Sequence, residues 1–284
     1  MNLTRVAVYR RTVAAPLPRV WENVLDWEHL PWLHRSTFRA IALLDAGPWG
    51  WRARVGLQPP TPGREIALEL RLDRTERRYV SRTTDGPGAG TEIWTRLAPE
   101  GGRTRIEVAF DVPGVARADV DRVGRGFVRL YTRLWDEDES MMVRREALLA
   151  SAGGCDGEGP ARAESAGARE ASVPLGPLAA LRERLPLRVE VAGVPFRVLE
   201  VDGELRAHAT RCPHMLGPLD EVPVEDGCLR CPWHGYRYEL ATGACLERPA
   251  LRLASARLEV DRATSAVRLI ADPQAGGSRT ARRR

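Results

Sequence analysis

The chain has no lysine: all 43 of its basic residues are arginine. With 38 acids the formal net charge is +5. The acids alternate with the arginines almost everywhere, so the only all-basic stripe is Arg282-Arg283-Arg284, and a nucleic-acid-binding patch is not expected. No apolar run reaches the roughly 18 residues that would cross a bilayer. The start, MNLTRVAVYRRTV, carries Arg10-Arg11 without an apolar stretch behind it, so no export signal is read and a cytoplasmic protein is expected. Internal repeats and the glycine fingerprint of a nicotinamide or flavin site are also missing. Cysteine and histidine are scarce, five of each. Five cysteines in such a chain argue against a disulfide framework and for metal.

What is present falls into two parts. Residues 151–172, SAGGCDGEGPARAESAGAREAS, are small, polar and without apolar periodicity, which reads as a flexible linker. It separates residues 1–150 from 173–271, and 272–284 reads as a disordered basic tail. In the first part residues 4–13 read as a strand. Residues 16–26 (PLPRVWENVLD) place Val20, Trp21, Val24 and Leu25 on one helical side. Residues 64–73 alternate strictly, with Ile66, Leu68, Leu70 and Leu72 turned inward. Residues 104–112 do the same with Ile106, Val108, Phe110 and Val112, the pattern of an antiparallel sheet with one wet face. A long amphipathic helix over 118–149 follows, its apolar stripe read as Val120, Val123, Phe127, Leu130, Leu134, Met141 and Leu148. In the second part short strands at 187–191, 194–200 and 204–208 begin a small all-β domain.

Four of the five histidines lie in two motifs. The first is Cys212-Pro213-His214, sixteen residues, then Cys231-Pro232-Trp233-His234. Two thiolates and two imidazoles could hold zinc. Zinc fingers, however, pair like with like along the chain, whereas each loop here carries one cysteine and one histidine. That mixture suits a two-iron cluster with sulfur ligands on one iron and imidazoles on the other. Cys228 and Cys245 are read as small buried side chains, Cys155 as a free thiol, and His208 as structural.

The second motif is Glu22-x3-Asp26-x2-His29-x4-His34. A helix running through His29 would align Glu22, Asp26 and His29, and Pro31 would end it and swing His34 back towards His29. Two imidazoles and one carboxylate make a non-heme Fe(II) site with open positions. The acids Asp136, Glu137, Asp138 and Glu139 of the long helix offer the carboxylate. At about 100° per residue Asp138 lies about 40° from Leu134, inside the apolar stripe, and Asp136 about 200° away, on the wet side. An acid on the core side costs several kcal/mol unless it is paired or metal-bound, so Asp138 is selected.

The flanks CPHMLGPLDE and CPWHGYRYELATG resemble the two cluster loops of Rieske [2Fe-2S] proteins. The first part resembles the helix-grip fold of the START/Bet v1/polyketide-cyclase superfamily, with Trp51, Trp94, Tyr131 and Trp135 as candidate pocket walls. The fold class is therefore an α+β helix-grip domain followed by a small all-β Rieske domain. Both pieces together resemble Rieske non-heme iron oxygenases, in reversed domain order. That resemblance implies a [2Fe-2S] cluster on Cys212, His214, Cys231 and His234. It implies mononuclear Fe(II) on His29, His34 and Asp138, with Asp26 linking an iron histidine to a cluster histidine of a neighbouring subunit in a trimer. It also implies an external NAD(P)H-dependent reductase or ferredoxin, O2, and a hydrophobic, aromatic or polycyclic substrate. In the bc-type branch each loop has an extra cysteine; Gly217 and Trp233 stand at those places here, which resembles the oxygenase and soluble-ferredoxin branch. A second reading stays open: a metal-free ligand-binding domain tethered to a ferredoxin-like carrier.

Overall fold

The computed structural model describes residues 2–59, 64–153, 171–254 and 256–271. The chain divides into two compact units, Met1–Ala150 and Ser151–Arg284.

The first unit runs β1 (Leu3–Val13), α1 (Leu17–Leu25), α2 (Leu30–Leu33), β2 (Phe38–Gly47), β3 (Gly50–Leu57), β4 (Glu65–Asp73), β5 (Arg78–Asp85), β6 (Glu92–Glu100), β7 (Arg103–Pro113) and α3 (Val120–Gly153). The strands form one antiparallel sheet in the order β1-β7-β6-β5-β4-β3-β2, with α3 packed on its inner face. This is the helix-grip arrangement expected from the order of elements. The alternations in β4 and β7 point as the pattern requires. Ile66 and Leu70 are buried, and Ile106, Val108 and Phe110 are wholly inaccessible, each such side chain contributing about 1.5–3 kcal/mol relative to exposure.

Three expectations are corrected. Of the expected α3 stripe Val120, Val123 and Phe127 pack on the core and Met141 is buried, but between them the line runs through Tyr131 and Trp135, with Leu130 and Leu134 half-buried beside it. The four-residue steps from Phe127 to Trp135 keep the aromatics on one face. Trp94 turns to the outer face of the sheet, where Arg78 and Arg82 lie over its ring and its indole donates to Glu92. Strand parity accounts for it: Thr95 and Leu97 next along β6 are buried. Thirdly, α1 does not run through His29. It stops at Leu25, Asp26 leaves helical geometry (φ −87°, ψ 82°), and a 3-10 turn over Trp27–His29 leads into α2. Pro31 sits in the first turn of α2, where its missing N–H is no loss, so it starts a helix instead of ending one.

The second unit runs β8 (Ser172–Pro177), α4 (Leu178–Arg182), β9 (Leu187–Val191), β10 (Val194–Val201), β11 (Glu204–Ala209), β12 (Val224–Glu225), β13 (Cys228–Arg230), β14 (Arg237–Glu239), β15 (Ala256–Val260) and β16 (Ala266–Ala271). They make three antiparallel sheets of three strands: β11-β10-β9, β12-β13-β14 and β15-β16-β8. The strand β8 is not foreseen by pattern because Pro174 and Pro177 disguise it. It occupies a sheet edge, where proline is tolerated. The linker expected at 151–172 falls mostly on residues outside those described, although α3 reaches Gly153 and β8 starts at Ser172. Cys155 and the tail at 272–284 also lie outside the described residues. Among the described residues, no helix is long and apolar enough to cross a membrane.

Candidate metal centres

The second unit brings Cys212, His214, Cys231 and His234 together on two loops with the same backbone wiring. In one loop the Cys212 N–H donates to the Gly217 carbonyl and the Leu216 N–H to the Cys212 carbonyl, both at 2.9 Å. In the other, Cys231 N–H donates to Tyr236 O and Gly235 N–H to Cys231 O, both at 2.8 Å. The fifth position of each loop has positive φ, 65° at Leu216 and 69° at Gly235. Gly217 is required by space: a Cβ there would stand 2.8 Å from the Cys231 sulfur and 3.2 Å from the Trp233 ring.

Like ligands sit together. The Cys231 thiol donates to the Cys212 sulfur, and the His214 and His234 rings meet edge to face with centroids 4.4 Å apart. Both cysteines are fully buried, whereas His214 is partly exposed. Burial pushes the Cys212 thiol up, but hydrogen bonds from Cys231 and Tyr238 win and bring it down to about 7. Cys231, as the donor of that shared proton, is pushed up. The Tyr238 hydroxyl lies 3.1 Å from the Cys212 sulfur. A buried sulfur pair beside an imidazole pair, of which His234 is buried and His214 reaches solvent, fits a [2Fe-2S] group with unlike irons. Among the described residues, His29, His34 and Asp138 form a set of three metal-ligating atoms within 4.8 Å of one another. The described cysteines are free thiols, Cys245 buried and Cys228 half-buried.

The first unit assembles His29, His34 and Asp138 from three elements. His29 ends the 3-10 turn, His34 caps α2, and Asp138 lies on α3 one turn beyond Trp135. All three are buried, with exposures of 4%, 2% and 8%. Asp138 Oδ1 stands 3.1 Å from His34 Nε2 and 3.5 Å from His29 Nε2. It is nevertheless inaccessible to solvent and accepts no aligned hydrogen bond. Ligands held at about 2.0–2.2 Å from one ion at right-angled to tetrahedral positions lie roughly 3.0–3.5 Å apart. A buried carboxylate oxygen facing two imidazole nitrogens at that spacing fits a divalent cation.

The four consecutive acids of α3 have four different tasks, as the helical rotation of about 100° per residue dictates. Asp136 faces water and pairs with Arg11 at 2.8 Å. Glu137 accepts from His34 Nδ1 at 2.6 Å. Asp138 points at the histidines. Glu139 accepts from Arg11 and from the Ala14 N–H. Burial opposes a proton on His34, but Asp138 and then Glu137 outweigh it and raise its pKa above the ordinary value. The same negative field favours a cation. Asp26 Oδ2 lies 3.6 Å from His29 Nδ1. Glu22, aligned with Asp26 in the motif, takes no part: it holds Arg145 through two bonds at 2.8 and 2.7 Å and also pairs with Arg19. Glu137 is the residue the sequence reading passed over; its place next to a selected acid was the available signal.

Residues 171–257 match the family model described as Rieske [2Fe-2S] domain. Over 65 residues the chain is 38% identical to Pheophorbide a oxygenase, chloroplastic, of Oryza sativa subsp. japonica, a match covering 19% of this chain and 12% of that protein. Over 71 residues it is 35% identical to the Anthranilate 1,2-dioxygenase ferredoxin subunit of Burkholderia cepacia, covering 25% of this chain and 66% of that protein. Both matches span less than two thirds of the relative. Among solved structures, the Zhui aromatase/cyclase of Streptomyces sp. R1128 aligns with 51% of this chain and 96% of its own, at 18% identity and a TM-score of 0.41.

Proposed function

Residues 171–257 are a Rieske [2Fe-2S] domain, and from that premise we propose that the chain is an iron–sulfur oxidoreductase that activates O2 at a second, mononuclear iron in its first unit, acting on a hydrophobic, aromatic or polycyclic substrate. The observation that carries this reading is the buried, hydrogen-bond-poor Asp138 oxygen set between His29 and His34. Its matching context is the identity shared with a protein named an oxygenase.

Cys212, His214, Cys231 and His234 hold the cluster. Tyr238 donates a hydrogen bond to the Cys212 sulfur and so steadies the charge gained on reduction. Electrons leave through His214 or His234, of which His214 is partly exposed, and Asp26 beside His29 is the bridge towards the iron, linking neighbouring subunits of a trimer. His29, His34 and Asp138 hold Fe(II), which when bound supplies O2 activation at its open positions. Phe110, Tyr131 and Trp135 keep water from the inner face beside it. Reducing equivalents come from a separate NAD(P)H-dependent reductase or ferredoxin. The free thiols suit a cytoplasmic, reducing setting.

Iron counting on reconstituted protein tests the reading. About three irons per chain are expected, two in the cluster and one alone, with a high-spin ferrous signal on adding nitric oxide. Saturation at about two irons without that signal rules out the oxygenase. A second reading, an apolar-ligand domain tethered to an electron carrier, is favoured by the match to a ferredoxin subunit, which covers the larger share of its relative. The double change His29→Ala with His34→Ala separates the two, because the carrier keeps its iron content and its redox activity.

A further inference from the structure

The two histidines of the first unit are held differently. His29 Nδ1 is buried without an aligned hydrogen bond, its nearest carboxylate, Asp26, being 3.6 Å away. His34 Nδ1 is 2.6 Å from Glu137 Oε2. A carboxylate can only accept, so the proton of that bond belongs to Nδ1 and the lone pair of the neutral ring belongs to Nε2. Nε2 is the atom that faces Asp138. Glu137 and Asp138 are neighbours in α3, and Glu139 next to them fastens that helix to Arg11 and to the Ala14 backbone, while Asp136 meets Arg11 only from the exposed side.

Resting on the mononuclear-metal reading above, we infer that Glu137 is a positioning residue: it fixes the tautomer and rotation of the His34 ring, so that one turn of α3 supplies both a ligand and the support of a second ligand. The bond is charge-assisted and links a helix to a corner about a hundred residues earlier in the chain. Rotation of His34 about its side chain would break it, and exchange of the two ring nitrogens would leave a proton aimed at the Asp138 oxygen side of the ring. His29 has no equivalent restraint of that length, so the asymmetry predicts that His34 is the ligand set before the cation arrives.

The test uses the full chain with its cluster loaded, and compares Glu137→Ala, Glu137→Gln and Asp136→Ala. The last removes an acid of equal charge, one residue away, that faces water. Affinity for added Fe(II) is measured by chelator competition. The Nδ1–H resonance of His34 is followed in 15N-histidine-labelled protein with Zn(II) as a diamagnetic stand-in. Glu137→Ala is expected to weaken Fe(II) about 10–100-fold and to abolish the protected, downfield Nδ1–H signal, with the visible spectrum of the cluster unchanged. Glu137→Gln is expected to fall between, since its amide oxygen still accepts but carries no charge. Asp136→Ala is expected to bind as the parent does. Equal affinity in Glu137→Ala and the parent overturns the inference, and so does equal weakening in Glu137→Ala and Asp136→Ala, which would make the effect one of charge alone. If the parent takes up no Fe(II) beyond its cluster, the metal reading itself has failed, a result distinct from either of those.

Discussion

The two ligand sets are built in opposite ways. In the second unit each half of the set is made by a short loop whose own backbone hydrogen bonds shape it, and the two loops repeat the same wiring. In the first unit two ligands come from a broken helical corner and the third from α3, about a hundred residues later, held in place by packing and by Arg11. The first design is tolerant of what happens elsewhere in its domain, because loop geometry is local. The second depends on the register of a long helix against a sheet, where a rotation of one residue, about 100°, replaces Asp138 by Glu137 or Glu139.

Four changes probe this contrast. The largest effect is expected from Gly217→Val, whose side chain would enter the space of the Cys231 sulfur and Trp233. Such overpacking costs about 1–3 kcal/mol or more, and visible absorption should show a protein that no longer holds its cluster. Next, Asp138→Leu should abolish uptake of the proposed mononuclear iron while leaving the cluster spectrum as it was. Loss of both metal centres from this one variant would contradict the independence of the two sets.

A smaller effect is expected from Tyr238→Phe. The phenol donates to the Cys212 sulfur, and such a bond is worth about 1.5 kcal/mol or more when one side is charged. Its loss should lower the midpoint of the cluster by about 60 mV for a one-electron couple, read by potentiometric titration. The iron site proposed for the first unit should not respond. The smallest effect concerns pH. Burial holds the His208 pKa below its ordinary value; the bond to the Ala209 carbonyl partly opposes this and Arg197 adds to it. The unfolded chain therefore binds more protons than the folded one between the folded pKa and about 6.5. The contribution is whole above that pH and is lost as pH falls below it. Urea midpoints measured from neutral to mildly acid pH should fall less steeply in His208→Gln than in the parent.

Particular residues show how far pattern alone reached. Alternation placed Ile66, Leu70, Ile106 and Phe110 inside because a strand has a period of two and a sheet with one wet face leaves no other choice. The pairs Cys212/His214 and Cys231/His234 were legible because both members of each pair share a loop. The break at Asp26 was not legible, since Trp27, Glu28 and His29 are as compatible with α-helix as with a 3-10 turn. The core line of α3 was not legible between Phe127 and Met141, because Val128, Leu130, Tyr131, Leu134 and Trp135 offer apolar side chains on several sides of the helix and only the sheet decides which line is buried.

By itself, then, the amino-acid order determined what short-range chemistry determines: strand faces, the two cysteine–histidine loops, and the presence of a carboxylate among apolar neighbours on the last helix of the first unit. Tertiary structure alone decided that Asp138 meets two imidazoles, that Glu137 takes the far nitrogen of one of them, and that Glu22 is spent on Arg145 instead. Those pairings join points far apart along the chain, and their distances depend on the depth and rotation at which a helix settles on a sheet, a property of the packed whole and of no segment within it.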